Sequence, residues 1–139
     1  MKFSESTEQD IEQLTEWIAH DPYHFHQGQP EWWLTGAEGS LLAFCLMDDR
    51  GPLTYVRLDT EGEYVRIHTQ FAPESVVSKR RLVVGMITAI EILTNIYKSS
   101  GSKGLIFNSV NPSLIGFMNC LHFTAVGNDD YRKDFEVNE

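Results

Sequence analysis

The stretch from Leu41 to Phe71 leaves this chain few ways to fold. Leu41-Leu42-Ala43-Phe44-Cys45-Leu46-Met47 is a continuous apolar run of strand length, ended by the turn cluster Asp48-Asp49-Arg50-Gly51-Pro52. Leu53 to Leu58 reads as a second strand and Asp59-Thr60-Glu61-Gly62 as a second turn. From Tyr64 to Phe71 the residues alternate, with Val65, Ile67, Thr69 and Phe71 on one face and Tyr64, Arg66, His68 and Gln70 on the other. Strands joined by turns this short pair with their neighbours in antiparallel fashion, so the segment predicts a meander.

Ahead of the meander, Lys2 to Ser4 makes a short first strand, and Ser6-Thr7-Glu8-Gln9 has the pattern of a capping box. Ile11, Leu14 and Ile18, with Trp17 beside them, predict a helix running to about His20 and stopped by Asp21-Pro22. Residues 22–36 are aromatic and proline-bounded; a short helix around Trp32 and an ordered loop packed by its aromatics both fit them. After Pro73 a long helix is predicted from about Leu82 to Tyr97, with Gly101 just past its end. Its apolar arc, from Leu82, Val83 and Met86 round to Ile87 and Ile96, is wide enough to imply a helix sandwiched by neighbours. Gly104 to Asn108 reads as a buried strand, Pro112 to Leu121 as a short helix, Phe123 to Val126 as a strand and Tyr131 to Val137 as another. The order predicts an α/β (α+β) architecture: a mixed, mostly antiparallel central sheet with helices on both faces. A chain of 139 residues makes one core and not two, so residues 1–139 read as a single domain.

Charge narrows the partners. Twenty acidic against eleven basic side chains give a net charge of −9, which repels phosphate backbones and anionic lipid, so neither nucleic acid nor membrane is expected. Cys45 and Cys120 both lie inside apolar runs and read as buried free thiols of a reducing compartment. The first residues lack the basic-then-apolar order of a signal peptide, and no uninterrupted apolar stretch approaches the roughly 20 residues that span a bilayer, so the expected location is cytoplasmic. His20, His24 and His26 share no helix face and have no cysteine or carboxylate motif beside them, so no metal is expected there. No Ser-His-Asp order, CxxC pair or nucleophile elbow is present.

The segment Pro73-Glu74-Ser75-Val76-Val77-Ser78-Lys79-Arg80-Arg81 holds the only three consecutive basic residues of this acidic chain. Ser78 is a natural N-cap, and a phosphate resting on the amides after it would be held by Lys79, Arg80 and Arg81. The plainer reading starts the helix near Pro73 and makes the three residues a solvated turn.

The order of elements, this segment and a second one, in which Asn111 is followed by Leu114, Phe117, Met118, His122 and Phe123, resemble the GNAT superfamily of acyl-CoA-dependent N-acyltransferases. The resemblance implies that acetyl-CoA lays its pyrophosphate on the start of the long helix, at Ser78, Lys79, Arg80, Arg81 and Leu82. It implies that the main chain of Thr69, Gln70 and Phe71 faces the thioester, and that Asn108 and Asn111 approach the pantetheine arm. His68 is the candidate base, against the reading of a strand histidine on a polar surface. Tyr23, His24, Phe25, Trp32 and Trp33 would border the groove for the acceptor, a small-molecule or peptide amine; a homodimer is left open. The sequence departs from the family pattern at three places. Side chains fill the two glycine positions of the pyrophosphate turn, which fall on Arg81 and Val83 or on Lys79 and Arg81 according to register. Met118 stands where the family often has a proton-donating tyrosine, and His122 replaces the glycine before Phe123. The implied activity is transfer of an acetyl group from acetyl-CoA to an amine by direct attack; the alternative is a non-enzymatic binding or scaffold protein on the same fold.

Overall fold

The computed structural model describes residues 1–23 and 29–136. In chain order the elements are β1 (Lys2–Glu5), α1 (Ile11–His20), β2 (Leu42–Asp48), β3 (Gly51–Glu61), β4 (Tyr64–Phe71), α2 (Lys79–Ser99), β5 (Gly104–Asn108), α3 (Pro112–Cys120), β6 (Thr124–Gly127) and β7 (Asp130–Asp134). A one-turn 3-10 helix, Pro30–Trp33, lies between α1 and β2, which settles the segment around Trp32 in favour of the short helix. All seven strands join one sheet in the order β1-β2-β3-β4-β5-β7-β6. Every neighbouring pair is antiparallel except β4 with β5.

The alternation of β2 decides which helix covers which face. Cys45 pairs with Tyr55 of β3, whose ring meets Trp17 of α1 edge-on at 5.2 Å. Leu46, pointing the other way, lies with Leu53 against Gly85 of α2. Gly85 lets α2 lie that close: a Cβ there would come within 2.8 Å of Leu53 Cδ1. The sheet therefore has a helix on each face, and the core fills both layers with Leu14, Trp17 and Tyr55 on one side and Leu53, Met86 and Ile90 on the other. Burial and the neighbouring Asp10 push the Cys45 thiol up to about 12, so it stays protonated.

Several boundaries and exposures differ from the expectations. The cap before α1 is set one residue later than the Ser6 pattern: Thr7 N–H donates to Asp10 Oδ2 at 2.8 Å, and the Thr7 hydroxyl receives Gln9 N–H. Ser6 is buried instead and donates to the Trp33 carbonyl at 2.6 Å. α2 begins at Lys79, three residues before Leu82, because Ser78 caps it by accepting Arg81 N–H. Nor is α2 sandwiched. Gly85, Met86, Ala89, Ile90 and Leu93 are buried, but Val84, Ile87 and Ile96 remain exposed. By length and composition alone α2 could cross a bilayer; its buried stripe packs on β2, β3 and β5. Cys120 is exposed rather than buried, because it follows Met118, the residue α3 buries, by two positions and so falls on the opposite face of the helix.

Candidate functional site

Strands β4 and β5 run parallel, yet their ladder holds only Tyr64, Val65 and Arg66 against Gly104, Leu105 and Ile106. β4 continues through Ile67 to Phe71 and β5 through Phe107 and Asn108, so beyond Arg66 the facing edge of β4 has no β5 partner. Both carboxyl ends lie at this open end, and each leads into a helix: β4 into α2, β5 into α3. A strand edge without a partner on its β5 side, with two helix N-termini beside it, suits a polar and partly anionic ligand.

The predicted residues fall around this gap unevenly. Thr69 and Phe71 are half-buried on the part of β4 that pairs with β3 but has no β5 partner. Gln70 is committed elsewhere: its side chain is fully buried and donates to Asp21 Oδ2 at 2.9 Å, and its carbonyl accepts the Thr54 hydroxyl at 3.1 Å. At the start of α2 the basic run divides. Arg81 is committed to a bidentate pair with Asp48, at 2.8 and 2.7 Å, which holds the Asp48 carboxyl far below its ordinary value. Lys79 and Arg80 are exposed, and no ion pair joins either among the described residues. Ser78, Arg80 and Arg81 line a cavity of about 350 Å³ with Asp48, Arg50 and Val84, toward the β2–β3 turn. Leu82 packs half-buried against the core. Asn111 caps α3, its Oδ1 accepting Ser113 N–H at 3.0 Å, and Asn108 is tied by its Nδ2 to Asn128 O and Asp130 Oδ1. Met118 is 2% exposed and belongs to the core, so no donor side chain stands at that position.

The polar face of β4 is not the open surface that alternation alone suggests. It lies under α1 and the 3-10 turn, where His68 is half-buried. Its Nε2 is 2.9 Å from Asp59 Oδ2, and the Trp32 ring meets it edge-on with centroids 4.8 Å apart. Arg57, 4% exposed, binds Asp59 and donates to the carbonyls of Trp32 at 2.7 Å and Glu38 at 3.0 Å, with its guanidinium 4.1 Å from the Trp32 ring centroid. Burial lowers the His68 pKa; Asp59 opposes that shift, while Arg66 and Arg57 add to it. Asp59 and Arg57 carried no motif in the sequence; the one available signal was their i, i+2 spacing on a strand. Of the acceptor-side residues, Tyr23 is exposed, Trp33 is buried in the core, and Trp32 rather than Trp33 reaches the surface. His24 and Phe25 lie outside the described residues, as does His26 of the histidine cluster; among the described residues no group of three or more His, Cys, Asp or Glu is placed to hold a metal ion.

No protein-family model matches the chain, and no curated protein matches it in sequence. Solved structures do match. A ribosomal-protein-S18-alanine N-acetyltransferase from Escherichia coli superposes with a TM-score of 0.68 at 12% identity, covering 99% of this chain and 96% of its own. An aminoglycoside acetyltransferase in complex with coenzyme A gives 0.72 at 14% identity, with 96% and 94% covered. A GNAT family acetyltransferase from Brucella melitensis, in complex with acetyl-CoA, gives 0.62 at 14% identity, with 99% and 90% covered. The chain has the GNAT fold over nearly its whole length.

Proposed function

We propose that this chain is an acyl-CoA-dependent N-acetyltransferase that binds acetyl-CoA in the gap between β4 and β5. The observation that carries the reading is the ladder that stops at Arg66 and Ile106 while both strands run on toward two helix starts. The residues fit such a carrier. Lys79 has no carboxylate partner among the described residues, and the first amides of α2 lack intrahelical acceptors, so together they match a pyrophosphate. Bound there, acetyl-CoA supplies the acyl group as a thioester.

This chain's own residues do the rest. Main-chain amides of Ile67, Thr69 and Phe71, on the edge of β4 that has no β5 partner, orient and polarise a carbonyl. His68 takes the proton that the acceptor nitrogen loses as it bonds to the carbonyl carbon and the carbon–sulfur bond breaks. Asn108 and Asn111 bound the β5 side through main chain and caps. Tyr23 and Trp32 line the approach of a small-molecule or peptide amine. An acidic chain draws a cationic acceptor toward it.

Thermal melting of the chain titrated with acetyl-CoA and with free CoA tests the reading. A saturable rise in Tm is expected, because such ligands bind only the folded state. Lys79→Glu should remove most of it. No rise at millimolar ligand would end the proposal. A second reading, a GNAT-fold binding protein without turnover, is favoured by Arg81, which is locked to Asp48 at a position where the family pattern has glycine. A thermal shift with no acetylation of any amine in a diverse panel would select it.

A further inference from the structure

We propose that Asp59 is a positioning residue: it holds the Nε2–H of His68, so that Nδ1 is the atom left to receive the acceptor's proton. The inference rests on the reading of His68 as base and goes beyond it by naming the proton-accepting atom and what fixes it.

The β3–β4 register sets Arg57 opposite His68 and Asp59 opposite Arg66, which puts the Asp59 carboxylate diagonally beside the imidazole on one face. Asp59 Oδ2 lies 2.9 Å from His68 Nε2. An ionised carboxylate only accepts, so the hydrogen in this contact sits on Nε2, and a neutral ring then has a bare Nδ1. The carboxylate is itself immobilised. Arg57 Nε reaches both of its oxygens at 3.2 Å, and Arg57 Nη2 reaches Oδ1 at 3.1 Å. Arg57 in turn is fixed by the Trp32 and Glu38 carbonyls, so its charge cannot swing away from Asp59. The Trp32 ring closes another side of the imidazole.

The charges bearing on His68 are Asp59 and Arg57 from β3 and Arg66 from β4; the contact from the 3-10 turn is the uncharged Trp32 ring. Burial and the two arginines keep the resting ring neutral, as a base must be, while Asp59 stabilises the imidazolium that forms when Nδ1 takes the proton. A histidine kept merely as surface on an exposed strand would need none of this support.

The first test uses the wild-type chain alone. Nitrogen-detected NMR of the His68 ring above its titration midpoint should report the Nε2–H tautomer; an Nδ1–H tautomer overturns the proposal. In Asp59→Asn the midpoint should fall and both tautomers should appear. With acetyl-CoA and an amine, that variant should lose about tenfold or more in kcat while the KM for acetyl-CoA stays within about twofold. Asp59→Glu should recover part of the loss. Unchanged kcat and pH profile in Asp59→Asn, with His68→Ala inactive, overturns the role of Asp59. Full turnover by His68→Ala removes the base reading itself, whatever the tautomer.

Discussion

His122 has φ of +73°, a left-handed conformation that glycine adopts freely and a residue with a Cβ does not. It sits two residues past the end of α3, where His122 N–H donates to Asn119 O at 3.1 Å and Phe123 N–H reaches back to Met118 O at 3.2 Å. That is a Schellman closure, with Met118 and Phe123 buried together beneath it. α2 closes in the same way at Gly101, with φ of +92°: Gly101 N–H donates to Lys98 O and Ser102 N–H to Tyr97 O. The loss of glycine before Phe123 therefore changed the residue and kept the turn. A left-handed non-glycine costs about 1–2 kcal/mol, and glycine's extra chain entropy gives back about half of that. His122→Gly should thus raise stability by about 0.5 kcal/mol, read as a higher urea midpoint at unchanged slope. A clear drop would mean that the imidazole makes contacts worth more than the strain.

Among the elements, the two strand edges that frame the gap depend on close backbone approach. A Cβ on Gly104, the first residue of β5, would overlap the Lys133 carbonyl oxygen of β7 and meet the Tyr64 ring at 3.0 Å. Neither backbone nor ring can yield without parting β5 from its neighbours. Gly104→Ala should cost about 2 kcal/mol or more in chemical denaturation. Gly116, inside α3, has nothing within 4 Å of its missing Cβ, so Gly116→Ala should stabilise by about 0.5–1 kcal/mol. Equal effects at the two glycines would contradict the packing described for β5. The helix starts are equally local in origin: Ser78 and Asn111 each cap with their own side chain, and that of Ser78 was legible as a cap in the sequence. The partner of Arg81 was not, since Asp48 is 33 residues away and meets it only because α2 lies across the β2–β3 turn.

For the whole molecule, net charge and the depressed carboxyls set the response to acid. Arg81 holds Asp48, and Arg66 with Asn108 holds Asp130, below the ordinary value of 3.8. Between 3.8 and those lower values the unfolded chain binds protons that the folded chain refuses, so this stabilisation is present above 3.8 and lost as pH falls below it. His68 acts in the same direction at higher pH: its folded value lies below 6.5, so its contribution is complete above 6.5 and declines as pH falls through the folded value. Tm should therefore fall in two stages on acidification. His68→Gln should erase the upper stage and leave the lower one, as thermal melts across pH 7 to 3 would record. A single stage unaffected by His68→Gln would contradict the buried placement of the ring.

Local patterning by itself determined the order of elements, the antiparallel meander, the two faces of β4 and the cap at Ser78. Each follows from spacing and side-chain chemistry within a few residues. Only the tertiary structure decided where the β4–β5 ladder stops, that Arg81 turns to Asp48, that Asn108 and Gln70 are already bonded, and that the polar face of β4 is roofed by α1 and Trp32. These are meetings of residues far apart in the chain. Periodicity says which face a side chain takes; it says nothing of what will be folded over that face. The candidate base was visible as a histidine on a strand, and the carboxylate, guanidinium and indole around it became a site only when β3, β4 and the 3-10 turn came together.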